Sequence, residues 1–379
     1  MNQPFNSFHY DLEVVTPVHI GAAKENDYIF GQDYFFEDGY YCFVDKRKLM
    51  KQMSSQDLDA FTKTLLDSNG QQSANIIKSI ANRNKETVIY RSYCPSRHVQ
   101  ESIRKHISDG FGNLIIPGSS LKGAISGIIG KFLMSRTNTL QFNSTVLLGG
   151  INNSIMRFLQ VGDATFRQYG EVTLQKIYSA DLVQAYSRYG NTGDGMWKHD
   201  RIGGHGLQFN ESGFVTAAEM LIEQSNSEVR INWADGLLSI IPGHSRHQSL
   251  NYFNEFSKEN LLEIIRKHTK EYLEQEMKFF ENFPNDDFPD VIDILENIKI
   301  QNQEENSAII RLGSGSGFHA ITGNWKYRDH TMTEQAEGRQ RNLINAIKYK
   351  TRKVSFYDDN SGNHQILTLP GFVKIKSKL

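Results

Sequence analysis

Cysteine is nearly absent from this 379-residue chain, which has only Cys42 and Cys94. Two thiols so far apart in sequence offer neither a disulfide framework nor a metal quartet, and a reducing cytoplasmic setting is expected. Long apolar runs are missing too. The most apolar stretch, Ile125 to Met134, is interrupted by Lys131 and falls short of the roughly 18 residues that a membrane helix needs, so no membrane partner is expected. The start, Met1-Asn2-Gln3-Pro4-Phe5, has neither a basic segment nor an apolar core, and no secretory leader is expected. Net charge is also lacking, with 42 Lys and Arg against 43 Asp and Glu, so composition alone gives no reason to invoke nucleic acid. The 39% hydrophobic and 22% charged content excludes collagen, coiled-coil and wholly disordered chains. At roughly 100–200 residues per domain, the length predicts two domains or one large, inserted one.

What is present is an uneven distribution of charge. Between Lys78 and Arg136 ten basic residues stand against three acidic ones, and between Lys326 and Leu379 eleven stand against five. Asn254 to Asn306 reverses the balance, with fourteen acidic and six basic. A protein with a phosphate-facing side and a solvated far side would show this pattern, as would a set of ordinary solvated helix faces.

Phe8, Tyr10, Leu12 and Val14 alternate with polar neighbours, which predicts a half-buried strand ending at Thr16-Pro17. Aromatic runs on either side of Glu37-Asp38-Gly39 predict a hairpin. Residues 45–66 are expected to be helical, with Asp45 and Ser54 as N-caps, while 69–84 is polar and gives no clear element. Leu121, Ala124, Ile125, Ile128 and Phe132 recur at helical spacing after Pro117-Gly118-Ser119-Ser120, and Gly123, Gly127 and Gly130 on that helix suggest close packing. Phe158 to Phe166 resembles a strand, 214–223 with 228–233 a hairpin turning at Asn226-Ser227, and Gly190 to Gly206 an exposed loop. Further helices are expected over 257–283, 290–298 and 334–349, with an extended segment at 365–375.

Three segments could carry chemistry. Arg311-Leu312-Gly313-Ser314-Gly315-Ser316-Gly317-Phe318 lacks the following βαβ unit that a dinucleotide loop requires, and no Gly-Lys-Ser/Thr marks a Walker loop. It remains a flexible backbone rich in amides beside Arg311, Lys326 and Arg328, suited to a polyphosphate chain. Ser119 and Ser120 at a helix start, with Lys122 one turn in, could bind a phosphate through amides, hydroxyls and the ammonium, or could simply cap the helix. His19 follows Thr16-Pro17-Val18, but a general base needs a partner that the sequence does not identify. His199, Asp200 and His205 match no metal-ligand spacing. Asp286-Asp287 and Asp358-Asp359 read as turn and solvated-loop residues.

Taken together, Thr16-Pro17-Val18-His19-Ile20-Gly21, Ile116-Pro117-Gly118-Ser119-Ser120-Leu121-Lys122-Gly123 and the glycine loop with Gly315, Gly317 and Gly323 resemble the RAMP superfamily of CRISPR-associated proteins. With the closing Leu369-Pro370-Gly371-Phe372-Val373-Lys374, their order is most similar to the type III-A subunit that caps one end of the Csm effector backbone. The resemblance implies an α+β fold of one or two ferredoxin-like (RRM/RAMP) units with helical and loop insertions. The first unit would span residues 1–200. The second would span 201–379, with a helical insertion at about 250–305 and the glycine-rich loop at 313–323.

The resemblance further implies a non-catalytic, cofactor-free role in the cytoplasm. The chain would bind the 3′ portion of a CRISPR RNA (crRNA), support its maturation and so contribute to antiviral defence. Its partners would be neighbouring backbone and small subunits, target RNA and host nucleases. By motif position His19, Ser119, Ser120, Lys122, Gly313, Ser314, Gly315, Ser316 and Gly317 would lie near RNA. Arg311 and Phe318 join them from the two ends of the glycine loop, and Arg91, Arg97, Arg104, Lys326 and Arg328 from the flanking basic segments. Ser316 stands where bulky residues are usual, which leaves Phe318 as the nearer stacking candidate. A metal-independent RAMP endoribonuclease using His19, a type III-B subunit and a nucleotide-binding enzyme are the alternatives.

Overall fold

The alternating first segment forms the strand Asn6–Val14, with Tyr10, Leu12 and Val14 wholly buried. The computed structural model describes residues 6–93, 102–137, 144–150, 154–166, 172–184, 193–198, 205–206, 216–234, 258–280, 289–317, 320, 351–358 and 365–378. Asn6–Val14 lies at the centre of a five-stranded antiparallel sheet. The order is Ser307–Arg311, Phe372–Ser377, Asn6–Val14, Asn226–Trp233, Leu159–Val161.

In the chain, helix Gly118–Thr137 falls between the first strand and Leu159–Val161, and helix Lys258–Phe280 between Asn226–Trp233 and Ser307–Arg311. That is the β-α-β-β-α-β succession of a ferredoxin-like unit, here with one extra strand. Leu121, Ile125 and Ile128 from one helix and Leu261 and Ile265 from the other share a core with Leu12, Ile231, Ile310 and Val373 of the sheet. Strands from both sides of residue 200 therefore pair within a single sheet.

A second sheet is built on the long strand Val172–Gln184, which pairs with Thr216–Leu221, Thr351–Asp358 and Gly193–Lys198. The segment expected as a loop over 190–206 thus contains the strands Gly193–Lys198 and His205–Gly206. Strand pairing uses backbone groups alone, so a composition rich in glycine and histidine did not prevent it. The hairpin expected at Asn226-Ser227 is corrected as well. Thr216–Leu221 joins the second sheet and Asn226–Trp233 the first, and the chain turns between them at Gln224 (φ +64°). The expected strand at 158–166 is two, Leu159–Val161 and Ala164–Phe166, parted at Gly162-Asp163.

Near the N-terminus, Tyr34–Glu37 and Tyr40–Val44 form the expected hairpin, with Asp38 and Gly39 at φ +50° and +83° as its turn demands. Asp45 caps helix Lys46–Gln52 and Ser54 forms a capping box with Asp57 on helix Ser55–Leu66. The polar stretch left without an element is helix Gly70–Arg83, capped by Asn69 and burying Ala74, Ile77, Ile80 and Ala81. The helix expected over 334–349 lies outside the described residues.

Candidate nucleic-acid interface

Past Val14 the chain leaves the central sheet and becomes a seam that joins all three motif segments. Phe372 N–H donates to Thr16 Oγ1 at 3.0 Å, and Gly371 N–H to the Pro17 carbonyl at 2.9 Å. The glycine loop is clipped to the same seam, since Ser314 N–H donates to the His19 carbonyl at 2.7 Å and Leu312 N–H to Gly371 O at 2.8 Å. Glycine is required at two of these positions. A Cβ on Gly313 (φ +82°) would lie 2.6 Å from the His19 carbonyl oxygen, and one on Gly371 (φ +108°) 2.4 Å from that of Leu312.

On the other side, Ile107 N–H reaches Ile20 O at 2.8 Å, Ala22 N–H reaches Lys105 O at 3.0 Å and Ile115 N–H reaches Ile107 O at 3.2 Å. Residues 114–116 then feed directly into helix Gly118–Thr137. One hydrogen-bonded path therefore connects the glycine loop, the His19 segment and the Ser119-Ser120 motif.

At the start of that helix neither serine is the cap. Gly118 N–H donates to Asp163 Oδ1 at 2.7 Å, so a carboxylate already occupies part of the electropositive helix end. Gly118 also packs on backbone, because a Cβ there would sit 2.0 Å from Val161 O. Ser119 is exposed, whereas Ser120 and Lys122 are half-buried, and burial lowers the Lys122 ammonium pKa. Gly123, expected to mark close packing, faces open space, since a Cβ there would meet nothing within 4 Å.

His19 is wholly buried. Its Nδ1 donates to the Glu219 carbonyl at 2.7 Å, while Nε2 has no partner among the described residues. Burial depresses its pKa to about 4, and that of neighbouring His106 to about 3. Both imidazoles are neutral at physiological pH. His106 accepts from Ile20 N–H at Nδ1 (3.3 Å) and donates from Nε2 to Ile115 O (3.0 Å). Glu219, also buried, accepts from Tyr28 and Tyr90 hydroxyls at 3.2 and 2.8 Å and from His106 N–H at 2.9 Å, and burial pushes its pKa up. This network locks the seam to the strands Tyr28–Ile29 and Val88–Tyr93, which carry the two tyrosines. No sequence signal linked Glu219 to it.

Neither His19 nor Arg311 presents its side chain to the surface. His19 is enclosed, side chain and backbone alike. Arg311, buried with its whole strand, donates to Pro370 O (3.0 Å), Tyr272 Oη (2.5 Å) and Gly315 O (3.4 Å), and lies 3.7 Å from Glu276. It holds the glycine loop from within. Ser316 is buried too, donating from Oγ to Gly313 O at 2.6 Å, while Gly313, Ser314, Gly315 and Gly317 are half-buried.

Arg104 is exposed and Lys105 half-buried, with its ammonium 5.2 Å from the Tyr28 ring centroid. Arg91 is exposed, 3.9 Å from Glu37. Arg97, Phe318, Lys326 and Arg328 lie outside the described residues, as do His199 and Asp200. Among the described residues no group of three or more His, Cys, Asp or Glu could hold a metal ion, and no helix is long and apolar enough to cross a membrane.

The sheet order and the glycine-clipped seam define a class of protein, and the family model for the RAMP superfamily matches residues 11–327. The chain belongs to the RAMP superfamily. Within it, a Streptococcus thermophilus protein named CRISPR system Cms protein Csm5 is 28% identical over 143 residues, 34% of this chain. The match spans 39% of that relative's length. The crystal structure of T. onnurineus Csm5 superposes with a TM-score of 0.59 at 15% identity, covering 96% of this chain and 99% of that one. A chain in the cryo-EM structure of a type III-A Csm-crRNA-target RNA ternary complex gives 0.63 at 15%, covering 97% and 100%. At that identity the likeness is one of fold.

Proposed function

We propose that the chain is a non-catalytic, crRNA-binding subunit of a type III-A CRISPR (Csm) effector complex, capping the backbone at the guide's 3′ end and supporting its maturation. The observation that carries this is the continuous path joining the three motif segments, beside which Arg104 and Lys122 have no ion-pair partner among the described residues. Backbone amides, serine hydroxyls and unclaimed cations recognise phosphate and ribose without reading bases, as a subunit that accepts any guide sequence must. The fold shared with a chain of a Csm-crRNA-target RNA complex supports the same reading. Guide RNA, target RNA and neighbouring Csm subunits are the partners it names, and host nucleases would trim the end that it exposes. The enclosure of His19, with a pKa near 4, argues against acid-base cleavage at that residue.

Binding of the purified chain to a labelled CRISPR-type RNA across a salt series, with the same samples scored for cleavage with and without EDTA, tests this. Affinity should fall with salt and no products should form. Lys122→Ala should weaken binding and lower the salt slope by about 0.7. Products that persist in EDTA and vanish in His19→Ala would instead make the chain a ribonuclease.

A further inference from the structure

The two arms of the seam on either side of residues 109–113 meet in a tight loop, Asp109-Gly110-Phe111-Gly112-Asn113, whose backbone is pinned from within. Asp109 Oδ1 accepts from Phe111 N–H and Asn113 N–H, both at 2.9 Å, and Oδ2 accepts from Asn113 Nδ2 at 3.0 Å. Asp109 N–H donates to Asn113 O at 2.9 Å, Gly112 N–H donates to Asp109 O at 3.1 Å, and Gly112 takes φ +86°. On this anchored loop Phe111 is 94% exposed, the most exposed large hydrophobic side chain among the described residues. The backbone before it is uncrowded too, since a Cβ on Gly110 would meet nothing within 4 Å. A loop braced by its own hydrogen bonds that presents a bare aromatic ring is preorganised to bind, because little conformational freedom remains to be lost.

The neighbouring charge indicates what binds. The arm entering the loop carries exposed Arg104 and half-buried Lys105, and the arm leaving it runs into the helix that bears Lys122. At about 3.3 Å per extended residue, Arg104 lies on the order of 15 Å back from the loop. An apolar protein pocket that received a phenylalanine would gain nothing from these cations. A single nucleic-acid strand uses both, its base stacking on the ring and its phosphates meeting the cations. The Asp109 carboxylate keeps its negative charge, and both its oxygens already accept hydrogen bonds within the loop.

We propose that Phe111 is a stacking platform for one unpaired base of the bound RNA. This rests on the RNA-binding function proposed above, and it supplies the aromatic contact that Ser316 cannot. The test uses single-stranded RNA with 2-aminopurine placed at successive positions, bound at several salt concentrations by the wild type and by Phe111→Ala, Phe111→Leu and Phe111→Trp. Exposure of the ring leaves folding unaffected, which circular dichroism checks. Ala and Leu should weaken binding by roughly five- to one-hundred-fold with the salt slope unchanged, and Trp should retain it. One position, or two adjacent ones, should be quenched by the wild type and not by Phe111→Ala. Equal affinity for all four proteins with no quenching would overturn the proposal. So would a Phe111→Ala protein that binds RNA normally but fails to join neighbouring subunits, which would make the ring a protein contact. A wild type that binds no RNA, while co-assembling with the other Csm subunits, would remove the RNA-binding reading itself, and the stacking proposal with it.

Discussion

Arg311 stands directly before the glycine loop, a position that in sequence suggests a phosphate contact. The strand Ser307–Arg311 is buried at every residue, so its last side chain turns inward to Glu276, Tyr272 and the loop carbonyls. Sequence adjacency identified the right loop and could not give the direction of one side chain. Arg311→Ala should cost about 2–4 kcal/mol, somewhat less than an ordinary broken buried pair because Arg352 stays 2.7 Å from Glu276. A denaturant midpoint unchanged from wild type would refute the structural role. The two buried imidazoles make a second prediction at this scale. His19 and His106 have folded pKa values lowered to about 4 and 3 from an ordinary 6.5, so below pH 6.5 the unfolded chain holds protons that the folded chain refuses. Their contribution to stability is complete above about pH 6.5 and is lost as pH falls toward 4 and 3, on the order of 3 kcal/mol each. Glu219 acts oppositely, because its raised pKa favours the folded state at low pH and that gain fades as pH rises past about 4.5. From the two imidazoles unfolding free energy should drop between pH 6.5 and 4, with Glu219 offsetting part of that fall. A profile flat over that range would show that the folded imidazoles take up protons as readily as the unfolded ones, and would refute their lowered pKa values.

Glycines within one element separate packing from propensity. On helix Gly118–Thr137 a methyl at 118 would collide with Val161 O at 2.0 Å, while one at 123 would meet nothing within 4 Å. Gly118→Ala should therefore destabilise by roughly 2–4 kcal/mol through forced backbone shifts. Gly123→Ala should stabilise by about 0.5–1 kcal/mol through helix propensity alone. Thermal unfolding of the pair decides the matter, and equal shifts in the same direction would contradict it. The sequence pointed to Gly123 as packed and gave no such sign for Gly118, because spacing shows which residues share a helix and not which face meets a strand. Caps and turns were more legible: Asp45, Ser54 and the Asp38-Gly39 turn act through neighbours in the chain. The strand Gly193–Lys198 was missed and the partner of Thr216–Leu221 misjudged, because pairing with Ala180–Gln184 and Val172–Ile177 in a separate sheet leaves no local pattern to read.

For the whole molecule, charge read along the chain is not charge in space. The basic C-terminal segment looked like one wall of an RNA groove, yet three of its lysines lie on or just past the last strand among acids of neighbouring elements. Lys374 is 2.9 Å from Glu13 and 3.5 Å from Glu304, Lys376 is 2.5 Å from Glu304, and Lys378 contacts Asp11 and Glu228. Arg352 of the same segment is buried against Glu276. The first basic segment keeps its exposed charge in part, with Lys78 and Arg83 paired to Glu37 and Asp57 but Arg104 and Lys122 without such partners among the described residues. The three motif segments were legible because each is a short pattern, and the ferredoxin-like fold followed from their resemblance to the RAMP superfamily. The side that faces RNA depends on where strands bring acids, and that is settled only by the fold. Counterion release turns this into a measurement. Each phosphate contact removed should lower the slope of log affinity against log salt by about 0.7 for a single strand. Arg104→Ala and Lys122→Ala should each do so, and Lys376→Ala, whose ammonium is already neutralised by Glu304, should leave slope and affinity within error of the wild type. If Lys376→Ala lowered the slope as much as Arg104→Ala, the RNA would have to cross the strand Phe372–Ser377 of the central sheet, and the seam would no longer be its track.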